Sequence, residues 1–172
     1  GTVLTSTIQN VAINGKIISR GTLTEKGRLA IGSVCGYAFA NIGESTLIEN
    51  AVVNVEADII SELNTLTGTT GVMYGGVVGF STNNRTLESG AIIIKDCVNN
   101  GDMNVNVGRC AGIIATANYG TNVENCVNNG NLVSLNSNAG LIGGVVCYMA
   151  YGNITDCVNN GAIKFVSYCD GA

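Results

Sequence analysis

The stretch Ile154-Thr-Asp-Cys-Val-Asn-Asn-Gly161 recurs almost unchanged at Ile94-Lys-Asp-Cys-Val-Asn-Asn-Gly101 and at Val123-Glu-Asn-Cys-Val-Asn-Asn-Gly130. Successive copies begin 29 and 31 residues apart. Looser copies stand upstream, Ile8-Gln-Asn-Val-Ala-Ile-Asn-Gly15 and Ile48-Glu-Asn-Ala-Val-Val-Asn-Val55, at intervals of 40 and 46 residues. The longer intervals imply insertions in the early units. A second phrase precedes most copies: Gly75-Gly-Val-Val-Gly79, Ala111-Gly-Ile-Ile-Ala115 and Gly143-Gly-Val-Val-Cys147, with Ile31-Gly-Ser-Val-Cys35 as a looser version. An apolar run closes each unit, as in Leu132-Val-Ser-Leu135 and Ile163-Lys-Phe-Val166. A fixed period of this kind is the mark of a stacked repeat architecture.

Each late unit reads as three short strands. In the unit 111–138 they fall near 112–117, 123–128 and 131–136, rich in Val and Ile and bounded by Gly and Asn. No helical i, i+3, i+4 stripe is long enough to compete. Three strands and their turns consume about 30 residues and carry the chain ~4.8 Å along an axis, the spacing between neighbouring strands. A single coil cannot bury its apolar face, whereas about five stacked coils bury a continuous one. The expected fold is therefore all-β, a right-handed parallel β-helix (solenoid). Asn-Gly pairs also signal type I′ hairpins, so an antiparallel meander is the competing arrangement.

Stacking converts the repeat into columns. One runs Asn10, Asn50, Asp96, Asn125, Asp156, and another Asn14, Asn54, Asn100, Asn129, Asn160. Asn tolerates the left-handed region and its amide bonds a neighbouring amide, so the second column is expected to form a side-chain ladder. The residue after it is Gly in four of five copies, where a positive φ costs little. Cys97, Cys126 and Cys157 share a further column, in which parallel Cβ vectors disfavour bridging. They are expected as small buried hydrophobes. Cys35, Cys110, Cys147 and Cys169 lie off this column, with Cys35 and Cys147 as candidates for a second one. Without a Cys-x-x-Cys pair or any His, zinc is not expected, and neither is any other metal or cofactor.

Composition narrows the function classes. The 172 residues carry 12 Asp+Glu against 8 Lys+Arg, a net charge of −4, which argues against nucleic acid as partner. The 46% hydrophobic content excludes intrinsic disorder. The longest apolar stretch, 139–152, is shorter than the ~20 residues a bilayer span needs, so membrane insertion is not expected. Lack of histidine removes triads built on an imidazole base. The remaining catalytic candidates are Asp96 and Asp156, two coils and about 9–10 Å apart, near the separation of an inverting carboxylate pair. Because Asn10 and Asn50 occupy the same column, Asn/Asp interchange there reads as turn capping instead, and no catalytic residue is assigned. Glu49, Lys95 and Glu124 share a solvated column. Aromatics that would anchor a sugar where exposed are Tyr37, Tyr74, Tyr119, Tyr148 and Tyr151, with Tyr119, Tyr148 and Tyr151 taken as the binding candidates; the favoured alternative stacks these rings within the solenoid or at its corners.

Gly143-Gly-Val-Val-Cys147, followed by Gly152-Asn-Ile-Thr-Asp-Cys-Val-Asn-Asn-Gly-Ala-Ile163, resembles the GLUG-type repeats of bacterial surface and secreted proteins. Residues 75–165 fit that pattern well and 1–70 loosely. The resemblance implies a pectin-lyase-like β-helix and supplies no catalytic residues. It points to one domain over 1–172, with degenerate repeats in 1–74 and regular ones in 75–172. Residues 55–74 depart from the pattern and are expected as an inserted strand and loop or a short helix over one side. Gly1 opens the chain without Met, basic region or apolar leader, so a piece of a larger surface protein is expected. The function so indicated is a non-catalytic extracellular or cell-surface module that binds glycan or protein, or serves as a stalk. The alternative is a polysaccharide lyase or glycoside hydrolase on the same scaffold. Uncapped solenoid ends would also self-associate.

Overall fold

The computed structural model describes residues 1–21, 28–61, 71–85, 90–134 and 141–165, and its regular elements are all β-strands. The chain starts with β1 (Thr2–Leu4) and β2 (Thr7–Gly21). A second unit holds β3 (Arg28–Gly32), β4 (Cys35–Ala40) and β5 (Thr46–Ser61). The third comprises β6 (Gly71–Gly75), β7 (Val78–Asn83), β8 (Ile92–Lys95), β9 (Val98–Asn99) and β10 (Met103–Asn106). The fourth repeats that pattern as β11 (Arg109–Ala111), β12 (Ile114–Ala117), β13 (Thr121–Glu124), β14 (Val127–Asn128) and β15 (Leu132–Ser134). The fifth does so as β16 (Leu141–Gly143), β17 (Val146–Met149), β18 (Gly152–Thr155), β19 (Val158–Asn159) and β20 (Ile163–Phe165).

Among the described residues every ladder is parallel. That overturns the antiparallel meander, since the Asn-Gly pairs close no hairpin. A four-stranded sheet runs β3-β6-β11-β16 and a five-stranded sheet β1-β4-β7-β12-β17, while the remaining strands form a long sheet. From the second unit on, the chain visits the four-stranded, the five-stranded and then the long sheet.

Register follows the sequence repeat. Ile8 pairs with Ile48, Ile48 with Ile94, Ile94 with Val123 and Val123 with Ile154. Strand β5 is one continuous counterpart of three later strands: Thr46–Glu49 face β8, Val52 and Val53 face β9, and 57–60 face β10. So the segment 55–74 departs from the pattern in sequence only over part of its length. Residues 55–61 continue β5 and 71–74 belong to β6, with no helix in either; 62–70 lie outside the described residues.

The core fills the space between the sheets. Ile48, Val53, Ile92, Ile94, Cys97, Val123 and Cys126 of the long sheet pack with Ala38, Val78, Ile114 and Ala117 of the five-stranded one. Ala57, Ile59, Met103, Val105 and Leu132 pack with Val72, Tyr74 and Cys110 of the four-stranded one. Period-2 alternation puts every second residue into this interior and its neighbours outside.

The two kinds of corner residue have different reasons. Asn10, Asn50, Asp96, Asn125 and Asp156 all adopt the left-handed region, with φ of 56°, 52°, 54°, 49° and 52°. One such residue interrupts the extended backbone in each unit. The glycines that end the Asn-Asn-Gly motif do not follow that logic, because only Gly15 has a positive φ there. Glycine is needed for close approach: a Cβ on Gly130 would lie 2.0 Å from the Gly101 carbonyl oxygen, and one on Gly161 1.9 Å from that of Gly130.

Candidate functional site

The four-stranded and five-stranded sheets also meet along a groove whose floor is a third buried cluster, Met73, Phe80 and Ala115. Its walls are two register columns. Ala30, Met73, Arg109 and Leu141 form one, and Tyr37, Phe80, Thr116 and Tyr148 the other. Parallel in-register stacking brings Tyr37 to 5.3 Å from Phe80 at 13°, and along its own strand Tyr37 lies 6.4 Å from Phe39 at 12°. A cavity of about 480 Å³ opens over Ala30, Tyr37, Met73 and Phe80. A second of about 360 Å³ adjoins it through Phe80, Arg85 and Asn118 and extends to Tyr119, Tyr148 and Tyr151.

The Tyr119 and Tyr151 rings stack with centroids 4.7 Å apart at 19°. Two guanidinium groups lie on aromatic faces, Arg85 at 4.6 Å from the Tyr119 centroid and Arg109 at 4.3 Å from that of Tyr148. Arg109 Nη1 also donates to Thr116 Oγ1 at 3.2 Å. Arg85 itself has a left-handed φ of 61°, and its backbone N–H donates to Asn83 Oδ1 at 3.0 Å. Neither arginine is ion-paired among the described residues. The ion pairs there, Lys16–Glu56, Arg20–Asp58 and Lys95–Glu49, all sit on the long sheet. Hydrogen bonding to Lys95 holds the Glu49 carboxyl below its ordinary range.

The structure brings Tyr119, Tyr148 and Tyr151 to one cleft, and Tyr37 to the same groove. Tyr74 is not exposed and follows the alternative of packing inside the fold. It is fully buried beside Cys110 and shares a 3.4 Å hydroxyl contact with Ser33, and burial pushes its phenol up. Its position, one residue before Gly75, is an inward one.

Asn14, Asn54, Asn100, Asn129 and Asn160 form an exposed ladder. Each amide nitrogen donates to the preceding Oδ1, at 2.8, 2.9, 2.8 and 2.8 Å. A second ladder, buried at Asn99 and Asn128, was not anticipated. Asn99 Nδ2 donates to Asn128 Oδ1, and Asn128 Nδ2 to Asn159 Oδ1, both at 2.7 Å. Each also donates to a nearby glycine carbonyl, Asn99 to Gly101, Asn128 to Gly130 and Asn159 to Gly161. The doubled Asn of the motif was its signal, since adjacent strand residues point to opposite faces.

Asp96 accepts from Asn125 Nδ2 at 2.6 Å within the left-handed column, the place of a turn residue. Cys97, Cys126 and Cys157 stack as free thiols that donate to carbonyls, with Cys97 and Cys126 fully buried. The hydrogen bond with Cys97 and burial push the Cys126 thiol up. Burial also raises Cys35 to about 11, Cys110 to about 12 and Cys147 to about 11. Cys35 and Cys147 do not share a column, because Cys35 pairs with Val78, whose column continues through Ile114 to Val146. The glycine phrase of the second unit is therefore Gly32-Ser-Val-Cys-Gly36, one residue later than the sequence reading placed it. Cys169 and the closing segment 166–172 lie outside the described residues.

The groove's other members, Phe80, Thr116, Arg85 and Arg109, were missed in sequence. With the phrase realigned, Tyr37, Phe80, Thr116 and Tyr148 each follow it directly, which is the signal that finds them. Among the described residues no helix is long and apolar enough to cross a membrane. Compared with known proteins, the chain matches no protein-family model, no curated protein and no solved structure.

Proposed function

We propose that the chain is a right-handed parallel β-helix of about five coils, a GLUG-type module of a bacterial surface or secreted protein, that binds glycan without catalysis. The solenoid reading is supported by the recurring order of the three sheets and by parallel pairing in repeat register. The right hand follows from the near-universal handedness of parallel crossovers. Burial of the free Cys35, Cys97, Cys110 and Cys126 thiols is compatible with an oxidising compartment, because the reactive species is the exposed thiolate.

The groove carries the functional reading. Four of the five aromatic candidates line one open face, with Tyr148 39% and Tyr151 63% exposed. Flat rings backed by a rigid sheet offer apolar platforms for the C–H faces of sugar rings, while Asn118 supplies polar contacts for hydroxyls. Coils repeating every ~4.8 Å let an extended chain meet several platforms in succession. Glycan-array screening, repeated with Tyr148→Ala and Tyr151→Ala, tests this. Binding that the two variants weaken supports the reading, and absence of binding to any glycan removes it.

A further inference from the structure

The polarity of the groove specifies the ligand further than its aromatics do. Among the described residues, those around the 360 Å³ cleft include Arg85 and Arg109 and no carboxylate, in a chain whose net charge is −4. Each guanidinium carbon lies over a tyrosine ring. A stacked guanidinium keeps its in-plane N–H donors free for a planar or tetrahedral anion, a geometry lysine does not offer. Arg109 is additionally steadied by Thr116, and Arg85 is set on a left-handed residue held by Asn83. Backbone strain maintained by a specific hydrogen bond is a feature of ligand-contacting positions. The charges are thus oriented yet unneutralised among the described residues, while the other described ion pairs stand on a different sheet.

We propose that this cleft takes an acidic carbohydrate, with a carboxylate or sulfate group held by the Arg85 and Arg109 guanidinium groups and a sugar ring against Tyr148 and the Tyr119–Tyr151 pair. This inference rests on the glycan-binding reading and adds the charge of the ligand to it. Neutral sugar chains could use the rings but would leave both cations without a counter-charge among the described residues.

Calorimetric titration of the whole chain with matched probes tests it: an oligouronate and its carboxyl-reduced form, and a sulfated oligosaccharide and its desulfated form. The acidic member of a pair is expected to bind about tenfold tighter at low salt. Raising the ionic strength from about 0.05 to 0.5 M narrows that gap, because exposed charges are screened. The two pairs show which acid group fits. Arg109→Gln and Arg85→Gln each reduce the acidic-to-neutral ratio by about threefold to fivefold, and Arg109→Lys only partly restores it. Equal affinities within both pairs, insensitive to salt, overturn the acidic preference and leave glycan binding standing. Failure of all four probes to bind, together with a blank glycan array, overturns both. The salt titration uses the unmodified chain, so it does not depend on how well a variant folds.

Discussion

Asn129 Nδ2 donates to Asn100 Oδ1 at 2.8 Å, while their immediate neighbours Asn128 and Asn99 are joined by a 2.7 Å bond of opposite polarity. One ladder is exposed and the other buried at Asn99 and Asn128, so the same chemistry is placed in two environments. Removing a buried partner leaves the remaining polar groups without water, at about 1–3 kcal/mol per group. Asn128→Ala removes the partner of the buried Gly130 carbonyl and one of the two partners of the buried Asn99 amide, while Asn159 is exposed and can turn to water. We expect it to cost about 3 kcal/mol in urea unfolding, against less than about 1 kcal/mol for Asn129→Ala. Equal effects would contradict the assignment of the inner ladder.

The left-handed column makes a conformational prediction. Asn125 has a φ of 49° and donates to Asp96. Asn125→Ala and Asn125→Gly both lose that bond, so their difference isolates the backbone. An alanine in this region costs roughly 1–2 kcal/mol that glycine avoids. Unfolding midpoints should therefore rank Gly above Ala at this position.

Gly130→Ala is the steric counterpart. The new Cβ would lie 2.0 Å from the backbone oxygen of Gly101, which no rotamer change can move. Forcing two stacked strands apart is expected to cost about 3 kcal/mol, the upper part of the overpacking range. A substitution that leaves the unfolding midpoint unchanged would show that the strands are not so closely stacked.

The buried thiols predict loss of stability in alkali. In the unfolded chain a thiol ionises near 9, whereas in the fold Cys35 and Cys147 are raised to about 11 and Cys110 to about 12. Between these values the unfolded state binds fewer protons than the folded one, so stability falls as pH rises. The contribution is fully present below about pH 9 and is lost through about pH 11–12. Urea unfolding at pH 8 and 10.5 checks the sign, and the triple Cys35→Ala, Cys110→Ala, Cys147→Ala variant should show a shallower decline.

The ends of the stack are complementary. Asn14 uses its Oδ1 and Asn160 its Nδ2, so the first amide nitrogen and the last amide oxygen of the exposed ladder lack partners among the described residues. Ile154, Ile163 and Phe165 are 48%, 47% and 43% exposed on β18 and β20, which pair on one side only among the described residues. Head-to-tail association of the 172-residue chain is expected, seen as mass that grows with concentration in light scattering. Ile163→Asn with Phe165→Asn should suppress it. A constant monomer mass in the unmodified chain would contradict it.

Much of the parallel architecture was legible because stacking reproduces sequence identity in space: Ile94, Val123 and Ile154 are aligned by eye and paired in the fold. Two parts were not legible. The short second phrase could slide by one residue, and a one-residue slip exchanges inside for outside. That slip hid Tyr37 as the counterpart of Phe80 and paired Cys35 with the wrong partner. The arginines escaped notice because their role comes from neighbours distant in sequence: Arg85 reaches Tyr119, and Arg109 reaches Tyr148.

The groove itself can be watched directly. The chain has six tyrosines and no tryptophan, so ring-labelled tyrosine gives a sparse NMR spectrum. During titration with an oligouronate, the resonances of Tyr119, Tyr148 and Tyr151 are predicted to shift together to saturation while buried Tyr74 stays fixed. Groove resonances that remain unmoved through the whole titration would contradict the account.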